Sequence, residues 1–465
     1  MSRRARSVRR GHVIRCIAPL LASSVALAQD DPASIAGVGD AFDAAELVPA
    51  ATSGIPPVLP GQEAGARASG AEAAAPAESA RDWFGHAPIW SWSRLTGDWA
   101  GARTSLEESG FDFNGSLTSE WSQVVSGGLA EKSAFRFLLD LNLTVDLGVL
   151  AGLEGATAFA DFQTADTGVG GRDDGAFQSP SNIAIDGSIT QLSQLWYEQW
   201  FLDRGLRLKA GKVDANSEFA FIGAAAGFIN ASAGFTPTIV GFPTYPDPAT
   251  GINLFVYPND HAYLGAGFYD GAGADGVRTG ASGPSTFFSD DRSDAWFLIA
   301  EAGLTGDGWR AAVGGWWHTG DFDTFAGGTD DGTAGAYALA EARVWSPDAD
   351  ADADSERGIS VFGQFGIADE AVSSAAAQYG AGVVFAGLVP GRSDDAFGVY
   401  ATLCDMSDDA AAGFGSDELA IELYYEAAVT PWLTLKPDLQ WISNPSGDAS
   451  IDDAFVATVR CTIAF

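Results

Sequence analysis

Between Phe135 and Leu147 the chain alternates with a period of two. Phe135, Phe137, Leu139, Leu141, Leu143, Val145 and Leu147 are apolar, and all intervening residues except Leu138 are polar. A helix would scatter those seven apolar side chains around its circumference; a strand puts them on one face. The same alternation recurs at 111–122, 191–201, 206–210, 359–367, 419–427, 433–441 and 455–465. Soluble sandwiches and membrane barrels both alternate, so the connections must decide between them.

Sixteen candidate strands can be marked between residues 111 and 465, and their connections alternate in length. Long segments at 123–134, 164–190, 213–250 and 271–292 are interleaved with short ones at 148–152, 203–204, 258–261 and 305–308. Later connections continue the series, with a departure at 346–357, which is long where a short turn is due. A sandwich has no reason to lengthen every second connection, whereas an outer-membrane barrel carries short periplasmic turns and long outer loops. Most of these strands are long enough to cross a bilayer at a tilt, and Phe465 ends the last one on an aromatic residue. The expected fold is all-β: a sixteen-stranded antiparallel transmembrane barrel over 111–465, in the bacterial outer membrane among its lipids.

The preceding residues divide into three parts. Six arginines and an apolar run from Cys16 to Ala28 ending in Ala26-Leu27-Ala28 read as a secretory signal peptide over 1–28. Residues 29–82 are rich in Ala, Pro, Gly and Glu and read as a flexible leader. Residues 83–110 hold a short amphipathic helix of about three turns, with Thr96 as N-cap and Leu95, Trp99, Ala102 and Leu106 on one face.

Charge narrows the function. The chain has 25 basic and 61 acidic residues; removing the six signal arginines leaves 19 against 61, a net −42. No basic stripe exists for nucleic acid. With histidines only at 86, 261 and 318 after the signal, and no serine motif beside His318 at the expected outer end of its strand, no catalysis is expected. The aspartates at 348, 350, 352 and 354 and the pair Asp173-Asp174 lack the glycine and terminal glutamate of a calcium loop, so neither a metal nor a cofactor is expected. Cys404 and Cys461 fall on opposite faces of strands that are not neighbours, which argues against a disulfide.

Parity assigns the lumen. With Phe135, Leu139 and Leu141 facing lipid, the other parity points in, and a cation at a lipid-facing midplane position would cost about 2–4 kcal/mol. The inward set comprises Arg136, Asp140, Trp196, Glu198, Arg207, Lys209, Arg310, Trp316, Glu422, Glu426, Lys436 and Arg460. Forked arginine donors, carboxylate acceptors and an indole face are the groups that recognise a neutral, hydroxyl-rich ring. The competing reading is that these charges pair with one another and stiffen the wall. The apolar connection 213–250, containing FIGAAAGFINASAGF, is expected to fold into the lumen and narrow it.

Several stretches resemble the carbohydrate-selective porins of the OprB family: RLTGDWAGARTSLEESGFDFNGSLTSEWSQVVSGG from Arg94, LWYEQWFLDRGLRLKAGKVDANSEFA from Leu195, GLVPGRSDDAFGVY from Gly387, and ELYYEAAVTPWLTLKPDLQWISNPSG from Glu422. The resemblance implies a sixteen-stranded barrel passing mono- or oligosaccharides, glucose among them, by passive diffusion, as a monomer rather than a trimer. A nonspecific or cation-preferring diffusion porin is the alternative.

Overall fold

The computed structural model describes residues 88–168, 171–347 and 357–465. The signal peptide, the 29–82 leader, His86 and the aspartates at 348, 350, 352 and 354 lie outside the described residues.

The strands are β1 (Phe111–Ser126), β2 (Ser133–Asp146), β3 (Ala156–Thr167), β4 (Ser188–Phe201), β5 (Leu206–Val213), β6 (Ala249–Asn259), β7 (Ala262–Asp270) and β8 (Trp296–Gly306). They continue as β9 (Trp309–Asp323), β10 (Thr329–Trp345), β11 (Gly358–Ala368), β12 (Ala375–Ala386), β13 (Ala396–Met406), β14 (Glu418–Thr430), β15 (Leu433–Ser443) and β16 (Ala454–Ala464). Each pairs antiparallel with its neighbours, and β1 closes on β16 with Glu120 opposite Arg460. Closure satisfies every strand's backbone groups and leaves no edge.

The sheet is inside out relative to a soluble protein. On β2, Phe135 is 55% exposed and Arg136 only 2%. Outward Leu195, Val313, Leu423 and Val459 are likewise exposed, while Glu120, Asp140, Asp161 and Lys209 are buried. Apolar side chains therefore meet lipid and polar ones fill the interior, as membrane barrels require.

Three local expectations are corrected. The hairpin β9–β10 extends further than its composition suggests, with a turn at 324–328 in place of a long loop; Asp321 pairs with Asp331 and Thr329 with Asp323, so acidic residues here form strand. His318 lies within β9, not at its end; it is buried, with Nε2 3.1 Å from the Gly271 carbonyl. The N-terminal helix is shorter than three turns: α1 covers Ala102–Glu108, and Thr96 does not cap it. Trp99 and Ala100 adopt positive φ and turn the chain first, while Asp98 accepts from the amide of Thr104 at 3.0 Å. Arg103 sits 4.4 Å from the Trp99 ring centre, and burial beside Arg94 lowers its pKa to about 10. The Leu95 amide donates to the Ala464 carbonyl at 2.8 Å, docking this segment on the last strand. Cys404 and Cys461 are free thiols.

Candidate constriction inside the barrel

The connection 214–248 runs inside the barrel. Its central stretch, residues 221–235, carries no charged side chain, yet charged residues on the wall hold it by its backbone. Glu301 accepts from the Ala220 amide at 2.9 Å, and Glu341 from Ala224 at 2.7 Å. Glu422 takes Ile229 and Asn230, at 2.6 and 2.9 Å. Cations take the carbonyls: Arg310 donates to Phe221 at 2.6 Å and Lys436 to Gly227 at 2.7 Å. Charged partners make these the stronger class of hydrogen bond, and in a dry interior an unmet amide would be costly.

Packing supplies the rest of the hold. Phe228 lies 4.8 Å, edge on, from Tyr424, and also meets Phe362 and Tyr400. The neighbouring Gly227 is needed for this approach, since a Cβ there would stand 2.3 Å from the Tyr424 hydroxyl.

A second inserted segment, 171–187, was missed by sequence reasoning. Glu418 accepts from the Phe177 and Gln178 amides, both at 2.7 Å, and Gln440 donates to the Pro180 carbonyl at 2.8 Å. The two insertions are also joined, Asn182 N to Ile229 O at 2.7 Å and Ala231 N to Ser179 O at 2.9 Å. They form one partition across the lumen.

The inward charges fall into separate groups, not one sugar-shaped site. Arg207 and Lys209 on β5 share Glu198 of β4 and Glu218 of the inserted segment; Lys209 stands 3.2 Å from Glu198 and 2.6 Å from Glu218, and Arg207 bonds Glu218 directly. Arg136 and Arg460 converge on Glu120, at 2.9 and 2.7 Å, and Arg460 reaches Asn182. Lys436 pairs with Glu426 at 2.9 Å, and Arg310 with Glu301 at 2.9 Å. Asp140 pairs with no cation among the described residues but accepts from Gln163 at 2.9 Å. Glu422 is occupied by the loop amides.

Neither indole is an open platform. Trp196 stacks on Phe159 at 4.8 Å and carries the Lys209 ammonium 3.9 Å from its ring centre, partners from the strands on either side. Trp316, on β9 with Arg310, is buried and stacked on Phe297 at 6.2 Å.

Burial by itself would raise the Glu218 pKa, but Arg207 and Lys209 outweigh it and hold the carboxyl below its usual range. At the neck of the same segment Asp214 has no such cation among the described residues, and burial pushes it up to about 6. Of the residues that sequence reasoning did not single out, Glu301, Glu341 and Glu418 have the right parity on their strands but no neighbouring signal. Gln178 and Asn182 sit in a connection without any period.

A closed sixteen-stranded barrel with an internal partition and a lipid-facing apolar exterior is a porin of the bacterial outer membrane. Residues 137–465 match the family described as carbohydrate-selective porin, OprB family, and the chain belongs to it. Porin B of Pseudomonas aeruginosa is 24% identical over 438 residues, spanning 80% of this chain and 91% of that protein. The putative porin QuiX of Acinetobacter baylyi is 24% identical over 421 residues, spanning 81% and 94%. The high-pH structure of Pseudomonas putida OprB superposes with a TM-score of 0.72 at 21% identity, over 81% of this chain and 99% of that one. Its low-pH structure gives 0.54 at 18% identity. Fold and family are those of a channel.

Proposed function

We propose that this porin passes small sugars of the glucose class through the passage left between the 171–187 and 214–248 partition and the barrel wall. The observation that carries the reading is the pairing inside the lumen: cations and carboxylates neutralise one another across the wall and the inserted segment. Such a lining presents alternating donors and acceptors with little net field, which suits a neutral polyol better than an ion. Glu198, and Arg460 nearer the second insertion, are the more accessible of these groups and the ones a sugar hydroxyl would meet, with Arg207, Lys209 and Arg136 behind them setting the carboxylates in place. Among the similar proteins, Pseudomonas putida OprB carries the family's name and Porin B is named as a porin. The functional unit is taken as the monomer, since Glu301, Glu341, Glu422 and Lys436 of the barrel itself hold the partition in place.

A cation-preferring pore is the second reading, favoured by one observation, the excess of 61 acidic over 25 basic residues in the chain. Liposome swelling across mono- and disaccharides, with Arg207→Ala and Glu198→Gln introduced singly, separates the two. Sugar reading expects swelling rates that discriminate between sugars and change in both variants. Equal rates for sugars and amino acids of one size, with cations outrunning anions, would replace it with the ion reading.

A further inference from the structure

The connection 271–295 carries two short helices, α2 (Thr279–Ser282) and α3 (Ser285–Phe288). Its position relative to the lipid face can be read from register. Lys212 on β5 is opposite Leu195, which is 53% exposed on the outer surface, so Lys212 shares that outward face. A lysine there is out of place against lipid. It is nevertheless only 8% exposed, because its ammonium donates to the carbonyls of Leu192 and of Gly280 in α2. The helix pair therefore covers the outside of the outer rim.

Aromatic packing gives the same direction. Phe268 on β7 is opposite Ile252, another exposed outward residue. Phe287 of α3 packs 6.0 Å from Phe268 and 5.4 Å from Trp296, which itself stacks on Phe268 at 4.7 Å. Beyond them Phe288, 5.1 Å from Phe287, is 79% exposed. The pair is tied to the strand end by Thr286, whose hydroxyl donates to buried Asp270.

We infer that the 279–288 helix pair is a lipid anchor that inserts Phe288 among the acyl chains of the outer leaflet. The occupant follows from continuity: Phe268, Trp296 and Phe287 extend the barrel's lipid-facing surface without interruption to Phe288. Aromatic rings at such a depth are the usual contact between barrel and interface. Arg278 and Arg292 flank the pair at exposed positions.

The test is depth measured by spin labelling in reconstituted vesicles. In the full chain with Cys404→Ala and Cys461→Ala, nitroxides are placed singly at Phe288→Cys, at Leu195→Cys on the lipid face, and at Ala410→Cys in the outer connection between β13 and β14. Accessibility is read with oxygen, which partitions into acyl chains, against a water-soluble nickel chelate. The inference expects the label at 288 to follow 195, oxygen-accessible and chelate-protected. A label at 288 that follows 410 overturns it, and the 195 control shows independently that the barrel is inserted.

Discussion

Lys209 on the barrel wall and Glu218 on the segment crossing the lumen meet at 2.6 Å, and neither side chain reaches solvent. A local strand residue is thereby bound to a connection that carries no regular secondary structure at that point, and the aperture takes its shape from such cross-links. Replacing Glu218 by Gln removes one of the two carboxylates that Arg207 and Lys209 share, Glu198 being the other. Removing one partner of a buried pair costs about 3–5 kcal/mol. The expected result is a noisier, more conductive channel that unfolds at lower temperature, read from planar-bilayer recordings and heat-dependent gel mobility. Traces matching the parent would rule out this contact as a support of the aperture.

Asp214 closes the neck of the same segment, accepting from Asn216 N at 2.9 Å, Thr244 Oγ1 at 2.7 Å and Tyr245 N at 3.2 Å. Burial raises its pKa from 3.8 to about 6, so folding favours the protonated carboxyl. Its contribution is complete below the unfolded value and is lost as pH rises through about 6. The neck is therefore held more firmly in mild acid than at neutrality. Open-channel noise should grow between about pH 5 and 7.5, and Asp214→Asn should remove that slope.

Deleting 222–235 removes Phe228 and the backbone groups that Lys436, Glu341 and Glu422 bind, while leaving every strand intact. Conductance and the size limit for sugars in liposome swelling should both rise. No increase in either would mean that the segment does not set the aperture.

Gly211 on β5 has φ 139°, and a Cβ there would meet the Leu195 carbonyl oxygen at 2.3 Å. Gly211→Ala should lower stability by an amount on the order of 1–3 kcal/mol and reduce the yield of folded barrel. Gly315→Ala, whose nearest neighbour would be the Gly335 oxygen at 3.5 Å, should be tolerated. Equal yields for both would contradict the close approach at β4–β5.

The barrel was legible because strand period is a local property: the alternation at 135–147 can be read without knowing what lies beside it. Direction is equally local, so parity separates Arg136 from Phe135. Partnership is not. Glu218 belongs to a segment without period, and nothing in its neighbours announces that it completes the Arg207 and Lys209 group. Glu418 looks like any acidic residue at a strand end until Phe177 and Gln178 are placed against it. Composition also misled at Asp330 and Asp331, where acidic residues imply a loop but extend a hairpin beyond the membrane.

The wall grips the 221–235 stretch by its amides and carbonyls, which are the same whatever residue bears them. Anchorage and lining are thereby encoded in different places. Side chains at partly exposed positions such as Ala226 or Ala231 are free to change without loosening the hold on the chain that carries them. Relatives with a different preferred solute would need few substitutions, all in one stretch, and no redesign of the strands.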